Sequence, residues 1–118
     1  MKGSMDTHMG SILVDSDVIA NYAGNVAMEC YGVVGMAVIN MRDGIAGLLK
    51  RDSISKGITV RMENNKMSLN LHIIVAYGVG IMAVANNLMS EVKYKVESFT
   101  GLDVERVNVY IEGVKVVE

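Results

Sequence analysis

Proline and tryptophan are absent from this 118-residue chain, and phenylalanine and cysteine each occur once. Without proline no turn can rest on a preset φ, so turns fall to glycine and asparagine. With five tyrosines and one phenylalanine as the whole aromatic supply, the core must be built from Val, Ile, Leu, Ala and Met. The single thiol, Cys30, cannot close an internal disulfide and suits a reducing compartment. A basic excess is missing too. The formal net charge of −2 argues against nucleic acid, whose binders carry a clear cationic surplus. Nor is there a long apolar run. Residues 67–90 hold no Asp, Glu, Lys or Arg, but their wholly non-polar part, residues 73–85, falls short of the roughly 20 residues needed to span a membrane. Residues 1–9 are polar, lack the apolar segment of a signal peptide, and read as an N-terminal tail before a single domain at 10–118.

What the chain does have is an apolar fraction of 51%, enough for one core, and ten methionines. Methionine adapts its shape, so some of it is expected at contact surfaces as well as inside.

The apolar periods outline the elements. Residues 12–14 form a short strand, and Asp15, Ser16 and Asp17 then supply an N-cap and acidic first turn. Ile19, Tyr22, Ala23, Val26, Ala27 and Cys30 recur at helical spacing, with Gly32 just beyond at a stop position. Residues 33–39 are rich in β-branched side chains and predict a strand. Residues 43–49 predict a short helix with Ile45, Leu48 and Leu49 inward, followed by a polar loop at 50–57. Ile58, Val60 and Met62 alternate with polar residues, Asn64-Asn65 suits a tight hairpin, and Met67, Leu69, Leu71, Ile73 and Val75 line one face of the next strand. After Gly78 and Gly80 a long helix carries Ile81, Val84, Ala85, Leu88, Val92, Val96 and Phe99 as its stripe and stops at Gly101. Val107, Val109 and Ile111 mark the last strand, with a bulge or bend at Gly113. The order β-α-β-(α)-β-β-α-β, with single-sided helices and half-polar strands, predicts an α+β two-layer sandwich: a mixed sheet with its helices on one face. The other face would carry Arg61, Lys66, Asn70, His72, Asn108 and Tyr110, an open polar surface suited to docking.

The chemistry-bearing residues are sparse. His72 is the one histidine within an element, and His8 falls in the tail. No HxH, HExxH or CxxC spacing exists, so neither metal nor cofactor is expected. Cys30 ends a helical stripe beside Glu29, the setting of a packing thiol and not of a nucleophile. Gly44-Ile45-Ala46-Gly47 has the GxxG form of a nucleic-acid clamp without its basic residue, and Gly78-Val79-Gly80 lacks the third glycine of a dinucleotide loop. Lys50, Arg51 and Lys56 form one modest basic cluster, which is either a solvated loop or a contact for an anionic partner. Met82 and Met89, seven positions apart, widen the apolar arc of the long helix. The candidate interaction surface is therefore Lys50, Arg51, Lys56, His72, Met82, Met89 and Tyr110, with no catalytic residue.

Three stretches together carry a family resemblance. They are Val18-Ile19-Ala20-Asn21-Tyr22-Ala23-Gly24 with Glu29-Cys30-Tyr31-Gly32-Val33-Val34-Gly35-Met36, then Leu71-His72-Ile73-Ile74-Val75-Ala76-Tyr77-Gly78, then Thr100-Gly101-Leu102 leading to Val107-Asn108-Val109 and Gly113-Val114. With these the chain resembles the alkaline shock protein (YloU-like) family of Gram-positive bacteria, often labelled envelope stress response proteins, across about residues 10–117. The resemblance implies a small cytoplasmic protein that self-associates and is held at the inner face of the membrane through a membrane-anchored partner. It supplies no catalytic residue. Compact members are often encoded beside a fatty-acid kinase-like protein, which implies the alternative of an accessory subunit or acyl-chain binder for a lipid-metabolism enzyme. The expectation is thus a non-enzymatic scaffold or adaptor in envelope homeostasis, ahead of the accessory role, an undetected enzyme or a nucleic-acid binder.

Overall fold

Asp15 opens the first helix, α1 (Ser16–Met28), by accepting a 2.8 Å hydrogen bond from the backbone N–H of Asp17, which satisfies one of the free donors of the first turn. The computed structural model describes residues 2–7, 10–40, 45–49 and 51–117. In order these form β1 (Lys2–Thr7), β2 (Gly10–Asp15), α1, β3 (Val33–Asn40), β4 (Ile45–Leu48), a 3-10 helix (Arg51–Gly57), β5 (Ile58–Glu63), β6 (Lys66–Ala76), α2 (Ile81–Thr100) and β7 (Asp103–Lys115).

The sheet is organised around β6. On one side β5 and β3 pair with it antiparallel in succession, and on the other β7 runs parallel along its whole length, Lys66↔Asp103 to Ala76↔Lys115. The fold is the expected α+β sandwich with a mixed sheet and both helices on one face. Met67, Leu69, Leu71, Ile73 and Val75 of β6 are fully buried against Val84, Leu88, Val92 and Val96 of α2 and Ile19, Ala23 and Ala27 of α1. Each helix turns its 3.6-residue stripe toward the inward face of a strand with period two, so both patterns are satisfied by one core.

Local chemistry sets the connections. The β5–β6 hairpin has a two-residue loop in which Asn64 and Asn65 both take positive φ (52° and 62°), the mirror-image turn whose twist matches the strands. Gly32 sits at φ 83°, and a Cβ there would lie 2.4 Å from Cγ2 of Val84, so the chain after α1 passes directly against α2. Two bulges resolve an oddity in the last strand. Val104 and Val107, three positions apart, both reach the core, which simple alternation forbids; the register shift at Glu105 makes it possible. A second shift, at Glu112, confirms the irregularity expected at Gly113.

Several expectations are corrected. Residues 45–48 are a strand, not part of a short helix: β4 pairs antiparallel with β3, Ala37↔Leu48 through Asn40↔Ile45. So short a segment recovers few intrahelical hydrogen bonds for the cost of nucleation, whereas the open edge of β3 satisfies its backbone at once. Asp43 and Gly44 lie outside the described residues. The expected polar loop is a 3-10 helix anchored by Ile54, buried beneath α1. Residues 2–7, read as tail, are strand β1 paired with β2, while His8 lies outside the described residues. The ends of the α2 stripe do not enter the core either. Ile81 is 44% and Phe99 51% exposed, the latter stacked on Tyr22 of α1 with ring centroids 4.2 Å apart.

Candidate functional site

The parallel register of β6 and β7 assembles a layered polar face opposite the helices. One row across the sheet is Arg61 (β5), Ser68 (β6) and Arg106 (β7), and the next is Thr59, Asn70 and Asn108. A third pairs His72 with Tyr110. In the second row Asn108 Nδ2 donates to Asn70 Oδ1 at 2.8 Å. In the third the rings of His72 and Tyr110 stack, with centroids 4.9 Å apart and planes 15° from parallel. Glu112, on the same face as Tyr110 by alternation and at the bulge of β7, places Oε2 2.5 Å from His72 Nδ1. That contact needs the proton on Nδ1, so Nε2 is the nitrogen left for another partner. Arg61, Ser68, Asn70, Arg106 and Asn108 line a shallow depression of about 300 Å³, rimmed by Glu63 and Glu105.

A second feature is apolar. Because β6 and β7 are parallel, they end together, tied by the Tyr77 N–H donating to Lys115 O at 2.8 Å, and α2 starts from the same end after a tight turn. Tyr77 (74% exposed), Met82 (72%), Ile81, Val114 and Val116 therefore gather in one region of the surface. Surface clusters of large apolar side chains are characteristic of contact sites.

Cys30 lies in a groove between α1 and α2 with Glu91 and Lys95. Its Sγ is 3.4 Å from Val26 O, and burial, reinforced by the Glu91 carboxylate, raises its pKa above the ordinary thiol value. The thiolate needed for nucleophilic chemistry is thereby disfavoured.

The structure joins some of the sequence candidates and separates others. His72 and Tyr110 meet. Met82 is exposed at the apolar end, whereas Met89 is half-buried beside a cleft of about 310 Å³ between α2 and β7, with Lys93, Arg106 and Val107. Lys56 is exposed at the end of the 3-10 helix, Lys50 lies outside the described residues, and the Arg51 side chain is likewise undescribed. Sequence reasoning passed over Glu112, Arg106, Glu63 and Tyr77. Glu112 is the informative omission, since its strand alternation places it correctly but only the bulge brings it onto His72. Among the described residues no group of three or more His, Cys, Asp or Glu is arranged to hold a metal ion, and no helix is long and apolar enough to cross a membrane.

The family profile described as alkaline shock protein 23, cell envelope-related function, matches residues 4–116. The chain belongs to the alkaline shock protein 23 family. It is 41% identical to the uncharacterized protein YloU of Bacillus subtilis (strain 168), over 98% of both chains. It is 36% identical to the uncharacterized protein Spy1614 of Streptococcus pyogenes serotype M6, over 99% of this chain and 98% of that one. Among solved structures, the manganese form of a MamM CTD superposes with a TM-score of 0.50 at 13% identity, covering 87% of this chain and all of that one; the likeness is one of fold. In this alkaline shock protein 23 family chain, the segments that carried the resemblance lie on structural keystones. Gly32 passes against α2, and residues 71–78 run from the central strand into the exposed apolar end.

Proposed function

We propose that this chain is a non-catalytic, self-associating scaffold or adaptor in cell-envelope homeostasis, a cytoplasmic protein held at the membrane through an anchored partner. The observation that carries this reading is the apolar end formed by Tyr77, Ile81, Met82, Val114 and Val116 on a chain of an envelope-related family. Those side chains contribute little to the core, and their exposure to water costs free energy that docking onto an apolar surface recovers. A scaffold needs a partner contact and a self-contact on different surfaces. The apolar end supports the first, and the polar sheet face lies elsewhere and remains available for the second.

A photo-crosslinking residue in place of Met82, introduced at native expression level, tests the reading. A membrane-anchored protein as the main crosslinked product is the expected outcome. A chain that crosslinks to nothing would overturn it.

The cleft beside Met89 favours a second reading, an accessory subunit or acyl-chain binder serving a fatty-acid kinase-like enzyme. Its walls set the Met89 thioether and Val107 beside Lys93 and Arg106, with the Glu105 carboxylate among them, so the acyl chain is the part of such a ligand that they suit. Native mass spectrometry of the purified protein decides this one: a bound lipid supports it, and a bare chain without effect on such an enzyme removes it.

A further inference from the structure

We infer that the polar face of β5, β6 and β7 is the surface through which two copies of this chain associate, related by a two-fold axis near Ser68. This rests on the self-association reading above and names its interface. The argument begins with charge. Arg61, Arg106, Glu63 and Glu105 surround one depression. Among the described residues the ion pairs are Lys93–Glu97 and Lys95–Glu91 and the remaining contact of a carboxylate with a basic side chain is the His72–Glu112 hydrogen bond, and none uses any of these four groups. Two guanidinium groups and two carboxylates thus share a face without neutralising one another.

The mixture of signs selects the occupant. A free anion drawn to the two arginines meets Glu63 and Glu105, and a cation drawn to the carboxylates meets the arginines. A partner carrying both signs at matching spacing satisfies all four, and a second copy turned by a two-fold axis has that pattern by construction. Each pairing of an arginine with a glutamate across the axis occurs twice, so a single contact geometry neutralises these four charges on both copies, while Lys66 lies beside Glu63 on its own strand pair. The neighbouring rows suit the same role. Tyr110, 45% exposed, is held flat on His72, which Glu112 fixes in turn, so an amphipathic ring is presented with little rotamer freedom left to lose.

Size sets the strength. β6 lends 11 residues to the face. β7 matches that length but β5 lends only six residues, so at ~3.3 Å per residue and ~4.8 Å per strand the face covers about 440 Å² on each copy. The total of about 900 Å² falls just below the ~1,000 Å² of a stable specific interface and marks a weak, transient contact. Such a contact forms reversibly and fills as the local concentration rises, which is the behaviour required of a scaffold gathered by an anchored partner.

Charge-swapped variants of the full chain provide the test, read by sedimentation velocity from micromolar to near-millimolar concentration. The wild type is expected to dimerise, more weakly as salt is added. Arg61→Glu with Arg106→Glu, and separately Glu63→Arg with Glu105→Arg, each raise the dissociation constant by at least about 30-fold through like-charge juxtaposition. An equimolar mixture of the two variants restores the dimer as a heterodimer, which also demonstrates that both are folded. Because charge reversal can disturb a sheet, the neutral pair Arg61→Gln with Arg106→Gln is measured alongside and must weaken the dimer too. Dimers indifferent to all these changes overturn the interface while leaving self-association standing. A wild-type chain that stays monomeric throughout overturns both, and if its arginines then bind inorganic phosphate, the face is an anion site instead.

Discussion

Gly32 and Gly78 both hold positive φ, 83° and 93°, yet they do different work. At Gly32 a Cβ would overlap Val84, whereas at Gly78 it would meet nothing within 4 Å. Gly78→Ala should therefore cost about 1 kcal/mol of backbone strain alone. Gly32→Ala adds overpacking against a fully buried residue and should cost about 3 kcal/mol. Thermal unfolding of the two variants checks the contrast, at roughly 4 °C per kcal/mol for a chain of this size. Cys30 supports a second prediction. Its pKa is raised by burial and by Glu91, so the native state favours the protonated thiol. The associated stability is fully present below the unfolded-state pKa and is lost as pH rises through the higher folded value. Denaturation measured at increasing pH through the thiol range should thus show a steeper loss in the wild type than in Cys30→Ala. Alkylation of Cys30 in the native protein should also run slower than in the unfolded chain.

At the scale of elements, the interesting relation is between α2 and the outer edge of β7. Lys93 Nζ donates to Val104 O at 2.7 Å, and the Val104 N–H donates to Glu97 Oε2 at 2.9 Å. Two side chains one helical turn apart, themselves 3.5 Å apart as an ion pair, thereby occupy both backbone groups of an edge residue. With the bulges at Glu105 and Glu112, this protects a strand of 13 residues that would otherwise invite uncontrolled edge pairing. Glu97→Ala should leave the Val104 N–H to water and lower stability by about 1 kcal/mol. Amide hydrogen exchange at Val104 should accelerate while the interior of β6 stays protected. The same scale explains the correction at residues 45–48. Ile-Ala-Gly-Leu is too short for its periodicity to separate helix from strand, and the open edge of β3 made the choice.

For the whole molecule, the two contact surfaces should be separable. Met82 is exposed and outside the core, so Met82→Lys should change stability by less than about 0.5 kcal/mol. Under the proposed scaffold role it should nevertheless abolish capture of a membrane-anchored partner and leave the proposed dimer intact, as affinity capture and sedimentation of the same variant will report. Much of this architecture was legible beforehand. The α1 and α2 stripes, the Asn64-Asn65 turn, the inward face of β6 and the bulge near Gly113 follow from local signals: 3.6- and two-residue periods, caps, and residues that tolerate positive φ. The candidate surface was half legible. His72 and Tyr110 could be placed on the polar face, but no sequence spacing showed that they touch. By itself, then, the sequence determined which residues form elements and which face each turns inward, because alternation and helical period are properties of neighbours along the chain. The tertiary structure alone decided that β7 lies parallel to β6, that bulges bring Val104 to the core and Glu112 to His72, and that Arg61 and Arg106 flank Ser68. Strand partners and register depend on packing among residues far apart in sequence, and many pairings share one hydrophobic pattern.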